Sequence, residues 1–251
     1  MFYERILEML TKNQIKLIIS LHQKKQRDAL GMFLVEGEKI VDELLKTDFE
    51  IIYLIALESW LHDTEIPIHI VNEEVLNQLS CLQTPNKVIA IVKTPLNTQN
   101  IYTENLYLFL DEIKDPGNLG AILRSAEWFG LKQIYCSPQC VEVWNPKVIQ
   151  ASMGSIFRIK FHILELNNLI HAVNPSKVYG ATIHTDDITK TTLLKNAVLV
   201  IGSESHGIAE INKKLINTSI SIPAYGATES LNAAIATSIL LYEFNRQFSI
   251  D

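Results

Sequence analysis

The sequence predicts an α/β protein of two domains, the larger built on a parallel sheet. Short apolar runs such as NLYLFL (105–110) and AVLVI (197–201) alternate with stretches that have helical periodicity. Strands that are apolar throughout are typical of a parallel sheet covered by helices on both faces. Residues 93–104, KTPLNTQNIYTE, have no periodicity and are typical of a linker. We therefore expect one domain over 1–95 and another over 103–251.

The first domain is predicted to be a small α/β unit. Apolar residues recur at helical spacing in three segments and form short continuous runs in four others. The predicted helices are MFYERILEML, NQIKLIISLHQKKQR and EKIVDELLK, and the predicted strands are FLVEG, IIYLIAL, IPIHIV and KVIAIVK.

The second domain repeats strand and helix patterns to the end of the chain. The predicted strands are NLYLFLDE, QIYCS, KVYGATI, AVLVIGSE and SISIPA, and the predicted helices are NLGAILRSAEWFG, PKVIQASMG and SLNAAIATSILLYEFNRQF. In open parallel sheets, ligands bind beyond the carboxyl ends of the strands. Three segments there are longer than a connection needs: DEIKDPGN, GSESHG and PAYGATES. We expect the chemistry where these three loops meet.

Composition indicates an ordinary globular protein in a reducing compartment. No apolar run reaches the length of about 18 residues that a membrane span requires, and the N-terminus lacks the build of a signal peptide. We expect a cytoplasmic protein with no membrane association. Its three cysteines are too few for a disulfide framework or a zinc site, so they are expected to be buried thiols.

The formal net charge of −6 points away from nucleic acid, but the basic residues are clustered. Residues 11–27 and 144–160 each contain several basic residues and no acid. Each stretch is either a solvated helix face or a patch that binds phosphates. The candidates for RNA contact are Lys24, Lys25, Arg27, Lys147 and Arg158.

The first loop leads into a helix with an isolated arginine. Gly117, Gly120 and Arg124 fall on one face of that helix, and Asn118 lies where it could cap the helix start. Glycines bare backbone amides, and a helix start favours anions. The strip therefore suggests a bound anion or sugar-phosphate, although Arg124 could instead pair with Glu127 or another surface carboxylate.

The other two loops contribute polar residues near the same expected edge. Gly202 permits a sharp turn and the approach of a ligand, and Glu204 could accept a hydrogen bond or pair with Arg124. Ser230 is the expected N-cap of the last helix, and Asn232 lies just inside it. The sequence has no G-x-G-x-x-G or phosphate-loop motif, which disfavours a dinucleotide or nucleoside triphosphate enzyme.

NLGAILRSA, IGSESHGI and SIPAYGATESLNAA resemble, in order and spacing, the three motifs of the SpoU (TrmH-like) branch of the SPOUT RNA methyltransferases. WNPKVIQASMGS resembles the segment between the first two motifs, so the resemblance covers about 103–251. The N-terminal KKQRDALGMFLVEGEKIVDELL resembles the RNA-binding domain similar to ribosomal protein L30e that is often fused to this family.

The resemblance implies a deep trefoil knot in the C-terminal domain and a homodimer formed through the knotted domains. It implies S-adenosyl-L-methionine as methyl donor. The residues implied to line its binding site are Gly202, Ile222, Leu231 and Thr182. The implied reaction is 2′-O-methylation of a ribose in RNA, with ribosomal RNA favoured over transfer RNA.

The resemblance also assigns roles to the loop residues. Arg124 would contact the target in a site that includes the other subunit. A guanidinium, with a pKa above about 12, is a poor base, so we expect it to hold phosphate and stabilise the developing alkoxide. Asn118, Ser230 and Asn232 would orient the ribose, Glu204 would hold Arg124 or a partner, and no metal is required. The alternative is an RNA-binding protein that keeps the fold without catalysis.

Overall fold

The computed structural model describes residues 10–60, 64–95 and 100–248. The chain divides into two compact units. The first unit is 1–96 together with Trp144–Phe157, and the second is Asn97–Val143 together with Arg158–Asp251. The change of unit after residue 96 falls in the predicted linker. The sequence places 144–157 in the second domain, whereas the structure groups this segment with the first unit.

The first unit is a mixed α/β structure, as predicted. Its sheet has the order β1-β4-β2-β3, with β4 antiparallel to β1 and β2, and β2 parallel to β3. The strands are β1 (Met32–Glu36), β2 (Ile51–Ala56), β3 (Ile68–Ile70) and β4 (Val88–Lys93). The helices are α1 (Lys12–Ser20), α2 (Lys24–Leu30), α3 (Glu38–Leu44), α4 (Glu73–Leu79) and α6 (Pro146–Ser152).

Aromatic packing explains why 144–157 belongs to the first unit. Trp144 stacks on Phe33 of β1, with ring centroids 4.3 Å apart. Phe157 contacts Phe49 edge to face at 5.5 Å. The side-chain amide of Gln150 donates to the backbone carbonyl at the end of β1. Pairs of this kind are not visible in sequence periodicity.

The predicted helix NQIKLIISLHQKKQR is wrong as a single element, because it is broken into α1 and α2. A capping box of Thr11 and Gln14 starts α1. The guanidinium of Arg27 donates to the carbonyls of Leu21 and His22 at the break, 2.7 and 3.0 Å away. This satisfies carbonyls that a helix end leaves without partners. The helix predicted for MFYERILEML lies in a segment of which all but Leu10 is outside the described residues.

The second unit is built on a parallel sheet, which confirms the prediction. Its order is β10-β8-β9-β5-β6-β7, and every neighbouring pair is parallel. The strands are β5 (Leu106–Leu110), β6 (Gln133–Cys136), β7 (Lys160–Ile163), β8 (Lys177–Asp187), β9 (Ala197–Ile201) and β10 (Thr218–Ser221). The helices are α5 (Pro116–Trp128), α7 (Leu166–Val173), α8 (Glu210–Lys213) and α9 (Ala233–Phe248).

The central strands of this sheet are buried along their whole length. All five residues of β5 and all five of β9 are buried, as expected for a sheet covered on both faces. Strand β7 was not predicted, because it is short and two of its four residues are exposed. Cys136 is buried, but Cys81 and Cys140 are only partly so, which corrects the expectation for them. Within the described ranges, no helix is both long and apolar enough to cross a bilayer.

Candidate active site

The three long loops all leave carboxyl ends of strands in the parallel sheet of the second unit. The first runs from β5 to α5, the second follows β9, and the third joins β10 to α9. Strands β5 and β9 are neighbours in the sheet, with Leu110 opposite Ile201 at their ends. The first two loops therefore start side by side.

The first loop is shaped by an aspartate cap rather than by Asn118. The side chain of Asp115 accepts from the Asn118 N–H at 2.7 Å, and Pro116 follows as the first helical residue. Asp before Pro at a helix start is a favoured combination. The expectation that Asn118 caps α5 is thus wrong, and its side-chain amide is available for other contacts.

Asn118, Glu204 and Asn232 form one hydrogen-bonded network that joins the three loops. Oε1 of Glu204 accepts from Nδ2 of Asn118 at 3.0 Å, from Nδ2 of Asn232, and from the Ala233 N–H at 3.2 Å. Nδ2 of Asn232 also donates to Oδ1 of Asn118 at 2.8 Å. The Glu204 carboxylate thereby lies at the start of α9, where the helix dipole favours an anion.

Asn232 also caps α9, which corrects two expectations. Its Oδ1 accepts from the N–H groups of Ala234 and Ile235 at 3.0 and 3.3 Å. The helix begins at Ala233, so Asn232 lies just before it rather than inside it. Ser230 is not the cap; it is an exposed residue two positions upstream.

Arg124 is exposed on α5 and has no ion pair or hydrogen bond among residues 10–60, 64–95 and 100–248. The carboxylate of Glu127, one turn further along, is bound by Arg158 instead. Glu204 is bound by the two asparagine amides. Neither expected ion pair of Arg124 is therefore formed, and its guanidinium is available to a ligand.

Of the two glycines expected to expose backbone amides beside Arg124, only one does so. Gly117 is exposed, but Gly120 is buried against the core and bares no amide to a ligand. Gly202 permits the sharp turn that was predicted for the second loop. A Cβ built at Gly202 would lie 2.2 Å from the carbonyl carbon of Gly207 and 2.3 Å from the nitrogen of Ile208. The backbone of the chain itself occupies the place where a side chain at position 202 would lie.

The remaining cofactor candidates differ in their surroundings. Ile222 is half-buried just after β10, and Leu231 is 45% exposed beside the network. Thr182 lies in an excursion of β8, since pairing with β10 jumps from Gly180 to Asp186. Its hydroxyl is hydrogen-bonded to that of Thr185 at 2.9 Å.

The predicted RNA contacts separate into exposed lysines and engaged arginines. Lys25 and Lys147 are exposed, and Lys24 is exposed while forming an ion pair with Asp28 at 3.2 Å. Arg27 is only 4% exposed and donates to the carbonyls at the α1–α2 break. The structure therefore contradicts an RNA contact by Arg27, whose polar side chain is used inside the first unit. Arg158 is bound to Glu127.

Two features of the site were missed from the sequence. Asp111, directly after β5, is buried and accepts from the Ala209 N–H of the second loop. An acidic residue placed directly at the end of an apolar strand was the signal for it. The hydroxyl contact of Ser125 on α5 with Ser238 on α9, at 2.6 Å, had no such signal.

Known protein families match both parts of the chain. Residues 105–242 match the sequence model of the SpoU rRNA methylase family. Residues 12–90 match that of the MRM3-like substrate binding domain.

Individual relatives are similar over nearly the whole chain. A 23S rRNA (guanosine(2553)-2′-O)-methyltransferase of Bacillus subtilis is 27% identical, over 92% of this chain and 96% of its own. The solved structure of a TrmH-family protein from Porphyromonas gingivalis has a TM-score of 0.85 at 33% identity, covering 96% of this chain and all of that one. An AdoMet-bound rRNA methyltransferase from Sinorhizobium meliloti has a TM-score of 0.80 at 28% identity, over 94% and 95% of the two chains.

Proposed function

Because the chain belongs to the SpoU rRNA methylase family, we propose that it transfers a methyl group from S-adenosylmethionine to the 2′-hydroxyl of a ribose in RNA. Ribosomal RNA is the favoured substrate, since the Bacillus relative methylates 23S rRNA. The observation that carries this proposal is the Asn118–Glu204–Asn232 network, which joins all three motif loops at one edge of the sheet. The structural likenesses also confirm the predicted SPOUT fold.

The residues at this edge fit S-adenosylmethionine. Leu231 presents an apolar surface at 45% exposure, and Ile222 is partly open, as an adenine ring would require. Gly202 lies two residues before Glu204 in the second loop, with its side-chain position closed by backbone. When bound, the cofactor supplies a methyl group that its sulfonium has already activated. We assign Gly202, Ile222 and Leu231 to holding it, with Thr182 at the margin of the site.

Arg124 is the residue we assign to the reacting ribose. The 2′-oxygen becomes more negative as it loses its proton, and an exposed guanidinium with no partner among the residues that the structure describes can stabilise that charge or hold the adjacent phosphate. Asn118 and Asn232, fixed by Glu204, would orient the loops and the ribose. Ser230 is exposed on the same loop and is proposed to hydrogen-bond the substrate.

The first unit is proposed to bind the RNA. It matches a substrate binding domain, and Lys24, Lys25 and Lys147 are exposed on it. Lysines of this kind would contribute salt-dependent contacts to phosphates rather than base recognition. We also propose a cytoplasmic location, because the Bacillus relative methylates ribosomal RNA of a bacterium, which is in the cytoplasm. The likeness of this unit to ribosomal protein L30e stays a prediction.

We also propose a homodimer formed through the second unit. Helix α9 exposes Ile235, Ile239 and Tyr242, which are spaced along one face, and Trp128 of α5 is 84% exposed. Exposed apolar strips of this kind mark protein interfaces. Light scattering of the purified protein tests the dimer. The trefoil knot is likewise proposed, on the membership of the chain in this family.

The experiment that tests the proposed function is methyl transfer from methyl-labelled S-adenosylmethionine to total RNA from cells lacking this protein. Nuclease mapping then locates the label. We expect a single labelled 2′-O position in ribosomal RNA. If no label is incorporated and S-adenosylmethionine does not bind, the proposal is contradicted. That result would favour an RNA-binding protein without catalysis.

A further inference from the structure

Asp111 holds both ends of the loop that follows β9. This loop, residues 202–208, is called the 202–208 loop below. The backbone N–H of Asp111 donates to the carbonyl of Ile201, directly before the loop, at 2.8 Å. Oδ2 of Asp111 accepts from the N–H of Ala209, directly after the loop, also at 2.8 Å. One residue at the end of β5 thus brackets the loop.

The tip of the 202–208 loop is closed by hydrogen bonds within the loop. Ser203 and Gly207 exchange two backbone hydrogen bonds of 3.0 and 2.8 Å. These bonds close the tip on itself, and the Glu204 carboxylate connects the tip to Asn118 and Asn232. The bonds of Asp111 attach the base of the 202–208 loop to β5. This strand leads into the first loop and α5.

The burial of Asp111 indicates a specific role. Its side chain is 1% exposed, and a buried carboxylate is costly unless it is hydrogen-bonded. The Ile201 bond uses the backbone of Asp111 and would persist with any side chain. The Ala209 bond depends on the side chain alone. Substitution of Asp111 therefore removes the side-chain bond at the Ala209 end of the 202–208 loop and leaves the backbone bond at the Ile201 end in place.

We propose that Asp111 is a positioning residue that holds the 202–208 loop in the form that binds S-adenosylmethionine. This rests on the proposed function, in which Gly202 lines the cofactor and Glu204 organises the site. When the Ala209 bond is lost, the loop populates forms in which Gly202 and Glu204 are displaced. The apparent affinity for the cofactor then falls in proportion to the population of the competent form.

The test compares three variants by calorimetric titration with S-adenosylmethionine. Asp111→Leu removes the acceptor at similar volume, and a fall of the competent loop to about a tenth raises Kd about tenfold. Asp111→Asn keeps an acceptor for the Ala209 N–H and is expected to bind within about twofold of the unsubstituted protein. Gln133→Leu is the control, because Gln133 is equally buried at the opposite edge of the same sheet. It should lower stability without changing Kd.

Amide hydrogen exchange without cofactor separates this proposal from the proposed function. Asp111→Leu should speed exchange of the amides of Ser203, Gly207 and Ala209, and Gln133→Leu should not. If the unsubstituted protein fails to bind S-adenosylmethionine, the proposed function fails, and the exchange data still decide whether Asp111 holds the loop. Should Asp111→Leu not fold, Asp111→Ser, whose hydroxyl is too short to reach Ala209, replaces it. Unchanged exchange and unchanged Kd in the acceptor-free variant would overturn the proposal.

Discussion

The two edges of the parallel sheet in the second unit use polar side chains in opposite ways. At the carboxyl edge, Asn118, Glu204 and Asn232 bond to one another while staying accessible, and Arg124 is exposed. At the amino edge, Gln133 is fully buried. It exchanges two 3.1 Å bonds with the backbone of Tyr102 and bonds His162 at 3.0 Å.

Burial also shifts the pKa values of ionisable groups close to Gln133. Desolvation raises the pKa of Glu104 and that of Tyr135, the ring of which stacks on His162 at 5.0 Å. Burial, with a smaller contribution from Lys160, lowers the pKa of His162. In each case burial disfavours the charged form of the group. Polar residues that stay accessible at the end of parallel strands are the ones available to a ligand.

The largest effect on activity is expected for Arg124→Ala at the carboxyl edge. Removing the guanidinium should lower the rate of methyl transfer about 10²- to 10³-fold, the usual consequence of deleting a group that stabilises developing charge. Because Arg124 is exposed and has no partner in the described parts of the chain, Tm and the Kd for S-adenosylmethionine should not change. Single-turnover kinetics measures the transfer rate, and calorimetry measures Tm and Kd. A full transfer rate would exclude Arg124 from the chemistry.

The next effect concerns the glycine that the chain itself approaches. Gly202→Ala adds a methyl group within 2.4 Å of backbone atoms of Gly207 and Ile208. Backbone cannot rotate away as a side chain does, so we expect a loss of about 1–3 kcal/mol in the free energy of unfolding. Chemical denaturation measures it. The matched control is Gly226→Ala, because a Cβ at Gly226 meets nothing within 4 Å. Equal loss in both variants would contradict the crowding at Gly202.

A smaller effect is expected at the ion pair beside Arg124. Glu127 lies three residues after Arg124, and Arg158 binds its carboxylate. In Arg158→Gln, the carboxylate is released and can pair with Arg124, which should lower kcat/KM about two- to fivefold, as an exposed pair is worth about 0.2–1 kcal/mol. The double variant Arg158→Gln with Glu127→Gln should recover the lost activity. If it does not, Arg158 itself contacts the RNA.

The smallest effect is a gain in stability at the amino edge. Burial raises the pKa of Glu104, so the unfolded chain releases this proton at lower pH than the folded protein. The contribution of Glu104 to stability is then fully present below its unfolded pKa and is lost as pH rises through the folded pKa. Glu104→Gln, which can still accept from Lys132 N–H, should stabilise the protein at pH 7 by less than about 1 kcal/mol, and not below pH 4. Urea unfolding at both pH values checks this, and a gain of equal size at both would contradict it.

Local patterns in the sequence predict most of the fold and part of the site. Runs such as that of β9 predict buried parallel strands, and the three long loops predict the edge where polar residues meet. The burial of Arg27 could not be predicted, because it depends on the carbonyls left open by a helix break. The capping of α9 by Asn232 instead of Ser230 depends on Glu204, 28 residues away in the chain. The packing of Trp144 on Phe33 depends on contacts more than 100 residues apart in sequence.

The most direct measurement is single-turnover methyl transfer to the mapped ribose, with saturating S-adenosylmethionine, for Glu204→Ala and Gln133→Leu side by side. Glu204→Ala removes the acceptor that joins the three loops, and water can solvate the exposed amides it leaves. We predict at least a tenfold loss of rate with little change in Tm. Gln133→Leu removes buried hydrogen bonds, so Tm should fall while the rate is retained. A retained rate in Glu204→Ala, or a rate lost in Gln133→Leu at full folding, would contradict the assignment of chemistry to the carboxyl edge.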